Sequence, residues 1–127
     1  MNYKEKVISL WNDMDKQNWN NISIYFEKDA VINWHNTNES FNVNEFIMAN
    51  REYPGDWKIE IERLECIKNL VISVVKVQLQ NDNNISFHAS SFFEFNDNKI
   101  KLLNEYWGND EEAPQWRIDK KIGRKIK

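Results

Sequence analysis

The sequence is poor in the residues that staple, stiffen or break a chain. Of 127 residues one is cysteine, two are proline and three are glycine. A lone Cys66 excludes an internal disulfide, and a reducing cytoplasm is the expected location. Cys66 itself reads as a packed small residue. There are two histidines, His35 and His88, without a supporting cluster of Cys or Asp, which falls short of a metal ligand set. Asp110-Glu111-Glu112 lacks the spacing of a calcium loop and reads as solvated. Neither a metal nor a cofactor is expected. No apolar run approaches the ~20 residues of a membrane span. Asn12, Asp13, Asp15 and Lys16 interrupt what would follow a leader's charged start. No membrane partner and no targeting segment are expected.

Positive charge is scarce in the body and concentrated at the end. Residues 1–118 carry 12 Lys and Arg against 19 Asp and Glu, a net −7; residues 119–127 carry five cations and Asp119, a net +4. An acidic body lacks the basic face that phosphate contacts need, so nucleic acid is not an expected partner. The organisation expected is one domain over 1–118 and a solvated basic tail over 119–127.

Aromatic residues are abundant, with six Trp, seven Phe and four Tyr making 13% of the chain. An apolar fraction of 41% and a charged fraction of 29% are those of a globular protein. At this length a domain buries roughly two-thirds of the surface its unfolded chain exposes, enough for a core without staples.

Tyr3, Val7, Leu10, Trp11 and Met14 recur at helical spacing, which predicts a helix over 2–16. Trp19, Ile22 and Phe26 suggest a shorter second helix with Asn18 as its cap. A short strand over Ala30 to His35 ends at Asn36-Thr37-Asn38. Asn42 with Glu45 is a variant capping box opening a third helix, which Tyr53-Pro54-Gly55-Asp56 stops. From Trp57 the pattern alternates, and four strands are predicted at 57–66, 70–80, 85–95 and 99–107. Short polar turns join them into an antiparallel meander. Helices followed by strands make an α+β layout with the helices over one sheet face.

Pairing Phe95 with Ile100 and Glu94 with Lys101 places Ser90 opposite Glu105, and His88 opposite Trp107. The inward face then reads Trp57, Ile59, Ile61, Val75, Val77, His88, Ser90, Phe92, Leu103, Glu105 and Trp107. The outward face carries Lys58, Glu60, Glu62, Lys76 and Gln78, and an apolar patch of Ile72, Val74, Phe93, Phe95, Ile100 and Leu102. Such a patch suits a homodimer formed through the outer sheet face.

On the inward face His88, Ser90 and Glu105 converge among Trp57, Trp107 and Trp34. A few polar groups in an aromatic-lined concavity are the usual form of a small-molecule site. Burial against rings raises the pKa of Glu105, suiting it to general acid or base chemistry. Mutual satisfaction of Glu105 and His88 inside the sheet is the plainer alternative. Tyr53 is a further candidate for ligand contact. Arg117, after Pro114, suits either a carboxylate ligand or a structural salt bridge.

The strings Tyr25-Phe26-Glu27-Lys28-Asp29-Ala30-Val31-Ile32-Asn33-Trp34, Phe92-Phe93-Glu94-Phe95-Asn96-Asp97-Asn98-Lys99-Ile100 and Glu105-Tyr106-Trp107 occur in that order. Together they resemble the SnoaL-like branch of the nuclear transport factor 2-like superfamily. The resemblance implies a cone-shaped α+β barrel, N-terminal helices packed on a strongly curved antiparallel sheet, with a deep pocket between. It implies dimers through the sheet as well. The superfamily includes cyclases, isomerases, hydrolases and non-catalytic binders, so the fold does not choose among them. Three readings stay open: a binder of a small hydrophobic molecule, a cofactor-independent cyclase- or isomerase-like enzyme using Glu105 with His88, and an interaction module acting through its convex face.

Overall fold

Two asparagines start the two long helices. In the computed structural model, which covers Met1 to Lys127, the Asn2 side chain accepts from the Glu5 amide at 2.8 Å and Glu5 reaches back to the Asn2 amide at 3.1 Å. This reciprocal box opens α1, Tyr3–Asp15, which buries Val7, Leu10, Trp11 and Met14. Asn42 and Glu45 repeat the arrangement at 2.9 Å in both directions.

The elements follow as α2 (Trp19–Ile22), a 3₁₀ turn (Ser23–Tyr25), β1 (Phe26–Trp34), β2 (Glu39–Phe41) and α3 (Val43–Arg51). After them come β3 (Trp57–Ile67), β4 (Leu70–Leu79), β5 (Ser86–Asn96), β6 (Lys99–Asn109) and a short α4 (Gln115–Asp119) with no buried residue. Phe26 therefore starts a strand and does not close the second helix. The β1 strand begins four residues earlier than its alternation suggested. The three-residue β2 carries too little pattern to be seen in the sequence.

The strands form one curved sheet in the order β2-β1-β6-β5-β4-β3. Neighbours are antiparallel except β1 and β6, which run parallel. The sheet is thus mixed, and it is open, with β2 and β3 as its edges. The expected α+β layout, N-terminal helices packed on a strongly curved sheet, is the one observed, with the parallel β1–β6 pair and the open edges added to it. Parallel pairing of β1 with the last strand needs a long crossover, and α3 with the β3–β5 meander supplies it.

Helix α1 lies across the concave face. Near its start the Tyr3 hydroxyl donates to the Asp97 carbonyl, Lys6 donates to the Asn98 carbonyl, and the Tyr3 ring stacks on Phe95 at 4.2 Å. At its end Asp15 accepts from the amide of Ile59 on edge strand β3 at 2.8 Å. The core lies between α1, α3 and the sheet, with Phe93, Phe95, Ile100 and Leu103 at most 2% exposed.

Two bulges set which residues face that core. In β6, Phe95 pairs with Ile100 but Glu94 pairs with Leu102, so Lys101 is the extra residue. In β3, Ile61 pairs with Val75 and Arg63 with Val74, leaving Glu62 extra. An extra residue advances one strand by a position and exchanges its faces relative to the partner. Beyond the β6 bulge, Ser91 pairs with Glu105 and Ala89 with Trp107. The inward residues of β5 are therefore Phe87, Ala89, Ser91, Phe93 and Phe95. His88, Ser90 and Phe92 face outward, the reverse of the sequence-based register. The outward patch loses Phe93, Phe95 and Ile100 to the core and keeps Ile72, Val74 and Leu102, joined by Phe92 and Tyr106.

Candidate functional site

A row of in-register residues crosses the floor of the sheet: Leu64, Ser73, Ser91, Glu105 and Trp34, one from each of β3, β4, β5, β6 and β1. Polar groups placed deep in an apolar floor must find partners. Ser73 accepts from the Trp11 indole at 3.1 Å, while Ser91 donates to Glu105 Oε2 at 2.5 Å. Glu105 Oε1 accepts from the Trp34 indole at 3.0 Å. No buried side-chain polar atom is left without a partner.

Toward the β3 side this floor opens into a cavity of about 230 Å³, walled by 18 residues of which 12 are hydrophobic. Trp34 and Trp107 meet edge to face at 5.6 Å, Trp57 meets Phe87 at 5.6 Å, and Tyr53 stacks on Trp57 at 5.3 Å. The α1 and α2 helices contribute Trp11, Met14 and Trp19, and the end of α3 contributes Ala49, Asn50 and Arg51. Gly55 holds the turn before β3 at φ +102°, where a Cβ would approach Leu79 Cδ1 to 2.7 Å. Glycine is thus required to bring the loop over the rim. The Trp57 indole donates to the Pro54 carbonyl at 2.8 Å, which fixes that ring against the same turn.

Glu105 is 6% exposed and lies in the cavity wall. Loss of hydration pushes its carboxyl above the ordinary carboxylate value, and the hydrogen bonds from Ser91 and Trp34 offset this only in part. The side chain can therefore hold a proton closer to neutrality than a solvated glutamate does.

Of the residues singled out in the sequence, Glu105, Trp34, Tyr53, Trp57 and Trp107 come together around this cavity. His88, Ser90 and Arg117 do not. His88 sits on the outer face between two carboxylates: Nε2 lies 3.0 Å from Glu62 Oε1, and Nδ1 is hydrogen-bonded to Asp110. It cannot touch Glu105 through the sheet. Ser90 shares the outer face with Phe92 and Tyr106. Arg117 lies in exposed α4, with its guanidinium 5.5 Å from the centre of the Trp116 ring. The bulge at Lys101 is the physical reason for the first two corrections. For Arg117, no fold-back of α4 over the domain brings it to the cavity.

Sequence reasoning missed Ser91, Phe87 and Ala89, all hidden by the inverted face of β5, and Arg51 and Asn50 at the end of α3. In the sequence, Trp11 and Trp19 stand only as members of two helical patterns. Their helical spacing assigns them to the buried side, and the cavity opens on that same side.

No protein-family model matches the chain, and no curated protein matches it in sequence. Solved structures do match in shape. A candidate ketosteroid isomerase from Kribbella flavida superposes with a TM-score of 0.81 at 18% identity, over 98% of this chain and 89% of that one. An NTF-2 like protein of unknown function from Burkholderia xenovorans gives 0.79 at 19%, over 97% and 94%. A candidate SnoaL-like polyketide cyclase from Shewanella putrefaciens gives 0.69 at 9%, over 84% and 90%. Likeness at such identities speaks to architecture and not to chemistry. The chain has the NTF2-like, ketosteroid isomerase-like α+β fold.

Proposed function

We propose that the protein binds a small hydrophobic molecule in the tryptophan-lined cavity. The observation that carries this is the combination of an apolar concavity with one buried, hydrogen-bonded carboxyl, Glu105, in its wall. At about 230 Å³ the space is just below the ~300–1,000 Å³ of drug-sized sites, which suits a molecule of one or two rings. The outer sheet face, with Ile72, Val74, Phe92, Leu102 and Tyr106, supports a homodimer as the working form. Light scattering should then give twice the 15.3 kDa chain mass at tens of micromolar, and a monomer mass there would reject the dimer. No helix is long and apolar enough to cross a membrane. The acidic body and single cysteine support a cytoplasmic protein without a nucleic-acid partner.

A second reading, an isomerase- or cyclase-like enzyme, is favoured by the raised pKa of Glu105. Glu105 would then take a proton from, or give one to, a carbon or oxygen of the ligand, without help from His88. One experiment covers both readings. A screen of one- and two-ring aromatics and terpenoids should shift the melting temperature; saturation at 100 times Kd adds about 2.7 kcal/mol of apparent stability. No shift across the screen rejects the cavity as a binding site. Among ligands that are turned over, Glu105→Gln should cut kcat by roughly 10²–10⁴-fold if the proton transfer is real. Undiminished turnover would leave binding as the sole role.

A further inference from the structure

Two of the 18 residues around the cavity bear charged groups, and they are of opposite sign: Glu105 in the wall and Arg51 at the end of α3. Their situations differ. Glu105 is enclosed and has both oxygens occupied by Ser91 and Trp34. Arg51 has half of its side chain exposed, and its nearest carboxylate is that of adjacent Glu52 at 3.9 Å, too far for a hydrogen bond. Its planar fork of donors is therefore unspent at the mouth of the cavity. A cation in the last turn of a helix also suits the helix dipole, which accounts for a basic residue there but not for its opening onto the cavity.

The cavity wall has five tryptophans and Tyr53, and of their donors the Trp19 and Trp107 indoles and the Tyr53 hydroxyl, all uncharged, make no side-chain hydrogen bond within the protein. The indole N–H groups of Trp11, Trp34 and Trp57 are each taken by the protein itself, on Ser73, Glu105 and the Pro54 carbonyl. These three rings have no free donor for a ligand, and Arg51 is the one cationic donor of the lining. Arg51 thus places a cation at the mouth of the cavity in a body whose first 118 residues sum to −7. A half-exposed cation without a hydrogen-bonded carboxylate partner attracts an anion to that mouth.

We propose that Arg51 receives the anionic group of the bound molecule, so that the cavity's ligands are hydrophobic monocarboxylates whose rings lie among Trp34, Trp57 and Trp107 and whose carboxylate sits at the mouth. This rests on the reading of the cavity as a binding site. The carboxylate matches a guanidinium in bidentate geometry and stays near water, so little of its hydration is lost. The ring system supplies most of the affinity and Arg51 supplies the selection.

The test uses three probes of one shape: naphthoic acid, its primary amide, and the corresponding naphthylmethylammonium. Their affinities are measured by calorimetry on the full chain at low salt. The acid should bind roughly tenfold tighter than the amide, and the ammonium should bind most weakly. Added salt should narrow the gap. Arg51→Gln should bring acid and amide to within about twofold, while Arg51→Lys, which keeps the charge without the fork, should retain part of the preference. Both substitutions lie on a half-exposed side chain, and a thermal melt of each variant checks that the fold persists. If amide or ammonium binds as well as the acid, or if the preference survives Arg51→Gln, the assignment of Arg51 is overturned while the cavity stands as a site. If none of the three binds at millimolar concentration, the cavity reading fails and the assignment falls with it.

Discussion

Glu105 lies in β6 and Asp110 just past its end, five residues on, and each accepts two side-chain hydrogen bonds. Ser91 and Trp34 serve Glu105; Ser86 and His88 serve Asp110. Their protonation nonetheless moves in opposite directions, Glu105 upward and Asp110 downward from the ordinary carboxylate values. Burial, complete at Glu105 and partial at Asp110, acts on both to raise the pKa. At Asp110 the hydrogen bonds and the positive charges of His88 and Lys76 outweigh it. Glu105 is fully enclosed on the concave side with neutral donors only, so loss of hydration wins. Hydrogen-bond number alone thus does not set the charge of a carboxyl in this molecule; the face of the sheet does. The inner face raises the pKa of its acid, and the outer face lowers that of Asp110 within a cluster with Glu62 and His88.

The sharpest way to break this division is to exchange residues across β5. Phe93 is fully buried and meets Trp11 edge to face at 6.3 Å, whereas its neighbour Phe92 lies half-buried on the outer side. Phe93→Ala should cost about 3–5 kcal/mol in denaturant unfolding, from lost burial plus the cavity left behind. Phe92→Lys should leave the monomer folded and, if the outer face is the dimer contact, halve the mass seen by light scattering. Equal losses of stability at the two positions would mean that β5 is not phased as the bulge at Lys101 requires.

That phase was the part of the fold hardest to read from residues alone. The four meander strands were legible because β-branched and aromatic residues alternate with polar ones and short Asn-rich turns separate them. The two Asn-Glu boxes had local chemistry to betray them, although only the second was recognised. On β3, β4 and β6 the inward residues Trp57, Ile59, Val75, Val77, Leu103, Glu105 and Trp107 were assigned to the face they occupy. In β5, however, Ser90-Ser91 and Phe92-Phe93 are doublets, so both faces carry the same residue types and parity is invisible. The opposite charges of Glu94 and Lys101 then favoured a pairing that the bulge removes. At the β3–β4 end two differences cancelled: the turn is Lys68-Asn69, one residue tighter than expected, and the extra Glu62 restores the register at Ile61. The parallel β1–β6 contact and the cavity's Arg51 depend on tertiary placement that no local pattern encodes.

A smaller effect separates the serines. Ser91 is fully buried and donates to Glu105, while Ser90 is on the outer face. Ser91→Ala removes a donor from the enclosed carboxyl and should cost about 1–3 kcal/mol, against less than about 0.5 for Ser90→Ala. The lost bond favoured the charged form, so the pKa of Glu105 should rise further in Ser91→Ala. Glu105's folded pKa is raised, so its contribution to stability is full below the unfolded carboxyl value and is lost as pH rises through the folded one. In the variant that loss should extend to higher pH. Carboxyl NMR of Glu105 checks the direction, and an unmoved titration would show that the Ser91 bond does not bear on the site.

The smallest expected effect lies in the outer cluster, where exposure screens every interaction. Partial burial of His88 acts to lower its pKa, but the hydrogen bonds and charges of Asp110 and Glu62 outweigh it and raise the imidazole above its ordinary value. Lys76, paired with His88 across β4 and β5, adds its positive charge beside Asp110. A histidine raised in this way stabilises the fold fully below its unfolded value of ~6.5, and that share is lost as pH rises through the folded value. Asp110→Asn keeps the shape of the contact and removes its charge. Proton NMR of His88 should then show its titration shifted downward, with the stability decline on the alkaline side moved to lower pH. Glu62→Gln should act in the same direction from the Nε2 side. Because the cluster is on the convex face, neither change should alter ligand affinity in the cavity. A ligand Kd that follows either substitution would couple the two faces of the sheet and overturn their separation.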